Sequence, residues 1–419
     1  MLDIDFIKQN KEAVIANCQR RKCKVDINEL LDLIEKKNTK IVELEALRHE
    51  INALSKTKPD AKTIQKLKIL KGNTRALQEE LDKLLVKVET KLSWLPNMLS
   101  SDVPHGKNDS ENVEVKKWGE IKKFDFTPKD HLELGKNLGI LDFESGAKVA
   151  GSQFYFWYGA GARLELALIQ YAFDVLEKEG FKPVITPDLA KSRYYLGTGY
   201  IPKGKEAQTY EIKDQDLGLI ATAEVTLAAK HADEIIEAKN LPIKYIGYSH
   251  CFRQEQGAYG KYSKGLYRVH EFTKAEMFIY CLPEESDKWH EHLLAMEEKI
   301  YQGLNLPYRV LEMCTGDLGA MAARKFDIEA WMPSRNEYGE VTSTSNCTDY
   351  QARNLNIKFR RKGLPAQAGK TEYVHMLNGT AIATSRTPLA ILENYQQKDG
   401  SVKIPEVLQP YVGKTQILP

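Results

Sequence analysis

The sequence predicts an α+β protein: an antiparallel sheet flanked by helices, preceded by an N-terminal antiparallel α-helical coiled-coil arm. Three observations carry this reading. Residues 26–95 keep a heptad beat of apolar side chains that a single turn interrupts. The body after residue 114 mixes strand-like patches with helices in no regular βαβ rhythm, which disfavours a doubly wound sheet. Residues 251–280 alternate charged and apolar residues in two runs around an insert rich in Gly, Tyr and Lys, as a long β-hairpin would.

In the arm, Leu30, Ile34, Ile41, Leu44 and Ile51 step by three and four, with Lys37 and Arg48 interrupting. Leu67, Leu70, Thr74, Leu77, Leu81, Leu84 and Val88 continue the beat after a breaker segment that contains Pro59 and Asp60. Each helix of about 30 residues would be about 45 Å long. The stretch from Lys56 to Arg75 carries seven basic residues (Lys56, Lys58, Lys62, Lys66, Lys68, Lys71 and Arg75) against Asp60 alone. It reads as a solvated coiled-coil surface, as a partner-protein zipper, or as a lever that brings positive charge to nucleic-acid phosphates.

Residues 93–112 are polar and punctuated by Pro96, Pro104 and Gly106, so they read as a linker. The expected division is an arm domain over 1–100, a linker over 101–113 and a body over 114–419. Strand-like patches fall at 182–186, 243–248, 267–272, 276–281, 309–313 and 326–331, with helices at 163–179 and 283–305. On the hairpin, one face should carry Arg253 and Glu255, which are two apart, together with Arg268, Phe272 and Glu276, which are spaced by fours. Two guanidiniums, two carboxylates and one ring could together grip a nucleotide and a small zwitterion. The plainer reading is a hairpin whose charges pair across strands.

With 419 residues the chain exceeds one ordinary core, and two domains are expected. A net charge of +2 and a pI near 8.0 confine any nucleic-acid surface to a local patch. No apolar run approaches a membrane span and no leader is visible at the N-terminus, so a cytoplasmic protein without a membrane is expected. Cys18, Cys23, Cys251, Cys281, Cys314 and Cys347 form no CxxC pair. Free thiols are expected and no structural zinc. Two motif-like stretches mislead. Residues 199–205 mimic a phosphate loop, but Glu206 replaces the hydroxyl residue and Pro202 removes a donor. Residues 261–264 are similar to the basic loop of nucleotide-binding-fold synthetases, yet the His-x-Gly-His motif that goes with it is missing.

Six segments in order, with the arm, carry a resemblance. Phe252, Arg253, Gln254 and Glu255, followed by Gly265 to Phe272, look like the ATP-binding hairpin of class II aminoacyl-tRNA synthetases. Gly161 to Leu164 through Phe181 to Pro187 looks like their dimer-forming helix, strand and proline, and Asn378 to Thr380 through Arg386 to Glu393 like their third signature. Thr222, Ala223 and Glu224, then Gly197 to Gly199, then Glu340 to Asn346, are further matches. Over essentially its whole length the chain resembles seryl-tRNA synthetase.

That resemblance implies ATP-dependent activation of L-serine and its transfer to tRNA(Ser), and to tRNA(Sec) in some members, by a homodimer. It implies catalytic roles for Arg253, Arg268 and Glu255. ATP would meet Arg253, Gln254, Glu255, Arg268, Val269, Phe272, Glu340, Val341, Thr342, Ser343 and Arg386, with adenine between Phe272 and Arg386. Glu340 and Ser343 would hold the Mg2+ that travels with ATP. Serine would meet Thr222, Ala223, Glu224, Arg253, Glu276, Asn378 and Thr380, and the seven basic residues of the arm would meet tRNA. The chemistry is coherent, because serine's carboxylate is already a nucleophile and needs only charge cancellation and in-line geometry.

Taken singly, Thr222 to Glu224 reads as an ordinary helix start, Glu340 as a surface-pair partner and Arg386 as a helix-entry charge. His270 and Glu271 point away from Arg268 and read as structural, and His105 as solvated. Ser385 stands where many class II members place glycine, which implies a slightly altered backbone approach to adenine. Gln254, Tyr259 and Tyr262 are also atypical, and this bears on tRNA preference. Two other functions remain open: a class II-like ligase that loads a non-tRNA acceptor, and a non-catalytic coiled-coil RNA-binding protein.

Overall fold

The computed structural model describes residues 2–56, 60–200, 209–255, 265–361 and 370–419. Lys58, the 257–264 insert with Tyr259 and Tyr262, and most of the phosphate-loop mimic lie outside them. The chain divides into two compact units, Met1–Met98 and Leu99–Pro419.

The first unit holds helices α1 (Ile4–Gln9), α2 (Lys11–Arg20), α3 (Ile27–Leu54) and α4 (Ala61–Ser93). Aspartates start three of them: Asp3, Asp26 and Asp60 accept backbone N–H groups of the first turns of α1, α3 and α4. Leu30, Ile34, Leu44, Leu70, Leu81 and Val88 are buried along the α3–α4 seam, so the heptads locate the contact face. The helices run antiparallel, since Lys91 reaches Glu29 at 2.7 Å, Lys40 reaches Glu80 at 2.6 Å and Lys66 reaches Glu50 at 2.7 Å. Such exposed pairs stabilise little, and seam burial dominates. They do change the charge count. Lys66 is matched by Glu50 across the seam and Arg75 by Glu79 one turn on, acids that lie outside the 56–75 stretch.

The second unit is built on eight strands, numbered here in chain order: β1 (Val113–Trp118), β2 (Lys182–Ile185), β3 (Ile243–Phe252), β4 (Glu271–Cys281), β5 (Tyr308–Glu312), β6 (Arg324–Met332), β7 (Glu337–Asn346) and β8 (His375–Ala383). Their order is β1-β5-β6-β7-β8-β4-β3-β2. Every neighbouring pair is antiparallel except β2 with β3. The main helices are α5 (Ala160–Glu177), α6 (Ala223–Ala229), α7 (Ser286–Gly303) and α8 (Arg386–Tyr395).

Strand β4 shows how the sheet places a site. Its odd-numbered residues Ala275, Met277 and Ile279 join the main core with Leu168 of α5, Ile300 of α7 and Leu389 of α8. On the other face, Phe278 and Tyr280 enter a second core with Ala223 and Leu227 of α6. Phe272, Lys274 and Glu276 share that face, but there the cover is missing and they line a cleft instead.

Several expectations need correction. The patches at 267–272 and 276–281 are one strand that begins at Glu271, and Gly265–Tyr267 is a 3-10 turn. Tertiary contact overrides the alternation: the Leu266 N–H donates to His131 Nε2 at 3.2 Å, and a Cβ on Gly265 would fall 2.2 Å from that nitrogen. Arg268 is therefore off the strand face that carries Phe272 and Glu276. Arg253 and Glu255 follow the end of β3, with Glu255 at φ +49°, so they share no strand face. Residues 101–113 make contacts within the second unit. Val103 and Gly106 are buried, Thr315 donates its N–H to Pro104 O at 2.9 Å, and Val113 opens β1. Phe278 is fully buried at the heart of the sheet. Phe278→Ala should cost about 3–5 kcal/mol, read as a lower urea midpoint at unchanged m-value.

Candidate active site

The cleft on the β4 face has a cavity volume of about 230 Å³, opens to solvent, and is lined mainly by charged and hydroxyl-bearing side chains. Sheet irregularities aim its side chains. A bulge at Val341 in β7, where Thr342 faces Ile328 but Glu340 faces Glu329, lets Glu340 and Ser343 reach the cleft from one strand. A second bulge at Ala381 in β8 sets Thr380 opposite Glu276. Thr380 Oγ1 donates to Glu276 Oε2 at 3.2 Å, while Lys274 Nζ lies 2.5 Å from the same oxygen.

At one end, Glu224 stands at the first turn of α6, 5% exposed. Tyr200 Oη donates to its Oε2 at 3.0 Å, and Gln351 Nε2 and Asn378 Nδ2 donate to its Oε1 at 2.7 and 2.9 Å. Burial first, and the neighbouring Glu276 charge second, push its carboxyl up to about 7, against the pull of Gln351 and Lys274. A caged acid poised between neutral and ionised is suited to receiving a cation. Thr222 is the N-cap of α6, accepting the Glu224 N–H at 3.2 Å, and Ala223 packs in the second core. Neither lines the cleft.

The other end is dominated by guanidiniums. Arg268 Nη1 donates to Glu255 Oε2 at 2.8 Å. Arg253 sits over the Phe272 ring at 5.1 Å, and its Nε donates to Ala221 O at 3.3 Å. His270 holds the Arg253 backbone, with its Nδ1 2.8 Å from the Arg253 carbonyl oxygen. Arg386, the first residue of α8, pairs with Glu340 at 2.8 Å and lies over the Tyr267 ring at 4.9 Å. Burial pushes the Glu340 carboxyl up, but Arg386 and then Lys325 outweigh it and hold it down at about 2. Ser385 has φ −84° and ψ −46°, ordinary helical values open to any residue, so no glycine is needed there.

The cleft thus gathers Glu224, Arg253, Glu255, Arg268, Val269, Phe272, Glu276, Glu340, Val341, Thr342, Ser343, Asn378, Thr380 and Arg386. Gln254 is elsewhere, its Nε2 donating to Thr209 O at 2.8 Å. Sequence reasoning missed Lys274, Lys325, Tyr200 and Tyr267, all of which line the cleft, and Gln351 behind Glu224. Period two from Phe272 and Glu276 would have found Lys274. Nothing local marks Gln351. Among the described residues no three metal-ligating side chains cluster. An ion here would need oxygens from its ligand besides Glu340 and Ser343.

Comparison with known proteins gives this geometry a context. Residues 209–395 match the class II tRNA synthetase core domain (G, H, P, S and T), and residues 1–99 match the seryl-tRNA synthetase N-terminal domain. A serine–tRNA ligase of Dictyoglomus turgidum is 52% identical over 428 residues, covering 100% of both chains. A seryl-tRNA synthetase from Pyrococcus horikoshii, solved with ATP, is 41% identical with a TM-score of 0.89, covering 100% of each chain. A cytoplasmic serine–tRNA ligase from Naegleria fowleri, solved with AMP, is 33% identical with a TM-score of 0.84, covering 100% of this chain and 99% of that one. With family models matching both units and relatives similar over the whole length, the chain belongs to the seryl-tRNA synthetases, members of the class II aminoacyl-tRNA synthetases.

Proposed function

We propose that this protein uses ATP to activate L-serine as seryl-adenylate and then esterifies the 3′ end of tRNA(Ser). The observation that carries this is the division of one cleft into an acidic, hydroxyl-bearing end and a guanidinium end. Serine's ammonium meets Glu224, and its hydroxyl meets Glu276 and Thr380, which already share a hydrogen bond. Alanine brings no hydroxyl to that pair and so forgoes the hydrogen bonds that serine gains there. Arg253 faces the serine carboxylate and the α-phosphate, Arg268 the outer phosphates, and Phe272 with Arg386 the adenine.

No general base is required. The carboxylate attacks the α-phosphorus, the bond to the bridging oxygen breaks, and pyrophosphate leaves with the electron pair. The arginines lower this barrier by fixed positive charge where two anions must meet. Glu340, held ionised, and Ser343 fit a divalent ion carried by ATP, magnesium in this reading, which when bound neutralises phosphate charge. The exposed Lys56, Lys62, Lys68 and Lys71 of the arm meet tRNA phosphates. Exposed Leu166 on α5 and Ile185 on the edge strand β2, 65% and 81% accessible, support a homodimer through that edge. No described helix is long and apolar enough to cross a membrane, which is compatible with a cytoplasmic site of action.

Arg253→Ala should lower serine-dependent ATP–pyrophosphate exchange by about 100-fold or more, a loss of about 3 kcal/mol of transition-state stabilisation. Unchanged exchange would remove Arg253 from the phosphate site. Because the ammonium favours ionised Glu224, serine binding should release a proton. Apparent serine affinity should rise about tenfold from pH 6 to pH 8 and level off above pH 7. Glu224→Gln keeps the cage but should flatten that profile. Finally, deleting residues 28–92 should leave exchange intact and sharply reduce tRNA charging. Equal charging without the arm would remove the arm from tRNA binding.

A further inference from the structure

The first unit contains a thiol pair that the proposed reaction does not use. Helix α2 ends in a Schellman turn: the Cys23 N–H donates to Cys18 O at 2.8 Å, and the Lys22 N–H to Gln19 O at 3.2 Å. Lys22 takes the left-handed position at φ +54°. This turn brings the side chains at its two outer positions together, and here both are cysteines. They differ in access. Cys18 is buried at 4% exposure, whereas Cys23 is partly open and directs its Sγ to Trp94 O at 3.5 Å. Both are free thiols, close enough to perturb each other's ionisation. Interaction with Cys18 holds Cys23 below the usual thiol range, partial burial opposes this, and Arg21 adds to the lowering. Interaction with Cys23 and burial push Cys18 well up. The other four cysteines, Cys251, Cys281, Cys314 and Cys347, are fully buried at 0% exposure.

We propose that Cys18 and Cys23 form a reversible dithiol–disulfide pair, with Cys23 the attacking and Cys18 the resolving thiol, oxidised by a hydroperoxide. The Cys23 thiolate attacks the terminal peroxide oxygen, the O–O bond breaks, and sulfenic acid and the departing alkoxide (hydroxide from hydrogen peroxide) form. The Cys18 sulfur then attacks the Cys23 sulfur, the S–OH bond breaks, and water leaves as the disulfide closes, with the Cys18 proton taken up by the departing oxygen. Two electrons pass from the thiols to the peroxide, and an external dithiol reverses the change. An unequal pair, one accessible and ionisable and one sheltered beside it, is the arrangement such chemistry needs. Closure ties the α2–α3 joint and withdraws the Cys23 Sγ from Trp94, the residue that ends α4.

The test treats the full-length protein with hydrogen peroxide, blocks remaining thiols with N-ethylmaleimide under denaturing conditions, and maps the peptides by mass spectrometry. The expected product is a Cys18–Cys23 cross-linked peptide pair, abolished by dithiothreitol, with the other four cysteines still alkylated. In Cys18→Ser, the Cys23 sulfenic acid should persist and be trapped by dimedone. The proposal is overturned if Cys23 proceeds to sulfinic acid beside a free Cys18. It is also overturned if both residues remain alkylated after peroxide treatment, or if Cys18→Ser yields no dimedone adduct.

Discussion

The pairing of β4 with β8 is the constraint on which the site depends. From Phe272 to Cys281 β4 is buried: Ala275, Met277, Ile279 and Cys281 face the main core, and the even-numbered residues face either a second core or the cleft. Charges on such a strand survive only if they are paired or serve a ligand. Glu276 is paired twice, to Thr380 across the strands and to Lys274 two residues away. The bulge at Ala381 sets that register, so the Glu276 carboxylate and the Thr380 hydroxyl are as fixed as the sheet itself.

The two ends of the cleft solve one electrostatic problem in opposite ways. Glu340 is kept ionised by cations that outweigh its burial, and it fixes Arg386 at the mouth of α8. Glu224 has only neutral donors in its immediate cage, so burial and Glu276 leave it near its titration point until a cation arrives. The first arrangement holds charge in place for an anionic ligand. In the proposed function the second couples the protein's charge to that of the serine ammonium, so that binding releases a proton.

How far the sequence could be read depended on how local each cause was. The arm was legible because heptads are local and α3 and α4 bury the side chains the beat selects. The shared face of Phe272 and Glu276 was legible for the same reason, with a period of two. Arg268 was misplaced because His131, far away in sequence, captures the turn at Gly265. Strands β7 and β8 went unread because bulges at Val341 and Ala381 break the alternation, and because their cleft-facing residues are Ser, Thr and Asn rather than β-typical apolar ones. The cage around Glu224 comes from three distant segments, and no spacing rule joins Tyr200, Gln351 and Asn378.

The central claim is that a fixed Glu276–Thr380 pair, with Glu224 beside it, reads serine and nothing else. ATP–pyrophosphate exchange with each amino acid in turn measures this directly. The account predicts strong exchange with serine and a rate with alanine lower by a factor on the order of 10⁴. Comparable exchange with alanine, or none with serine, would contradict it.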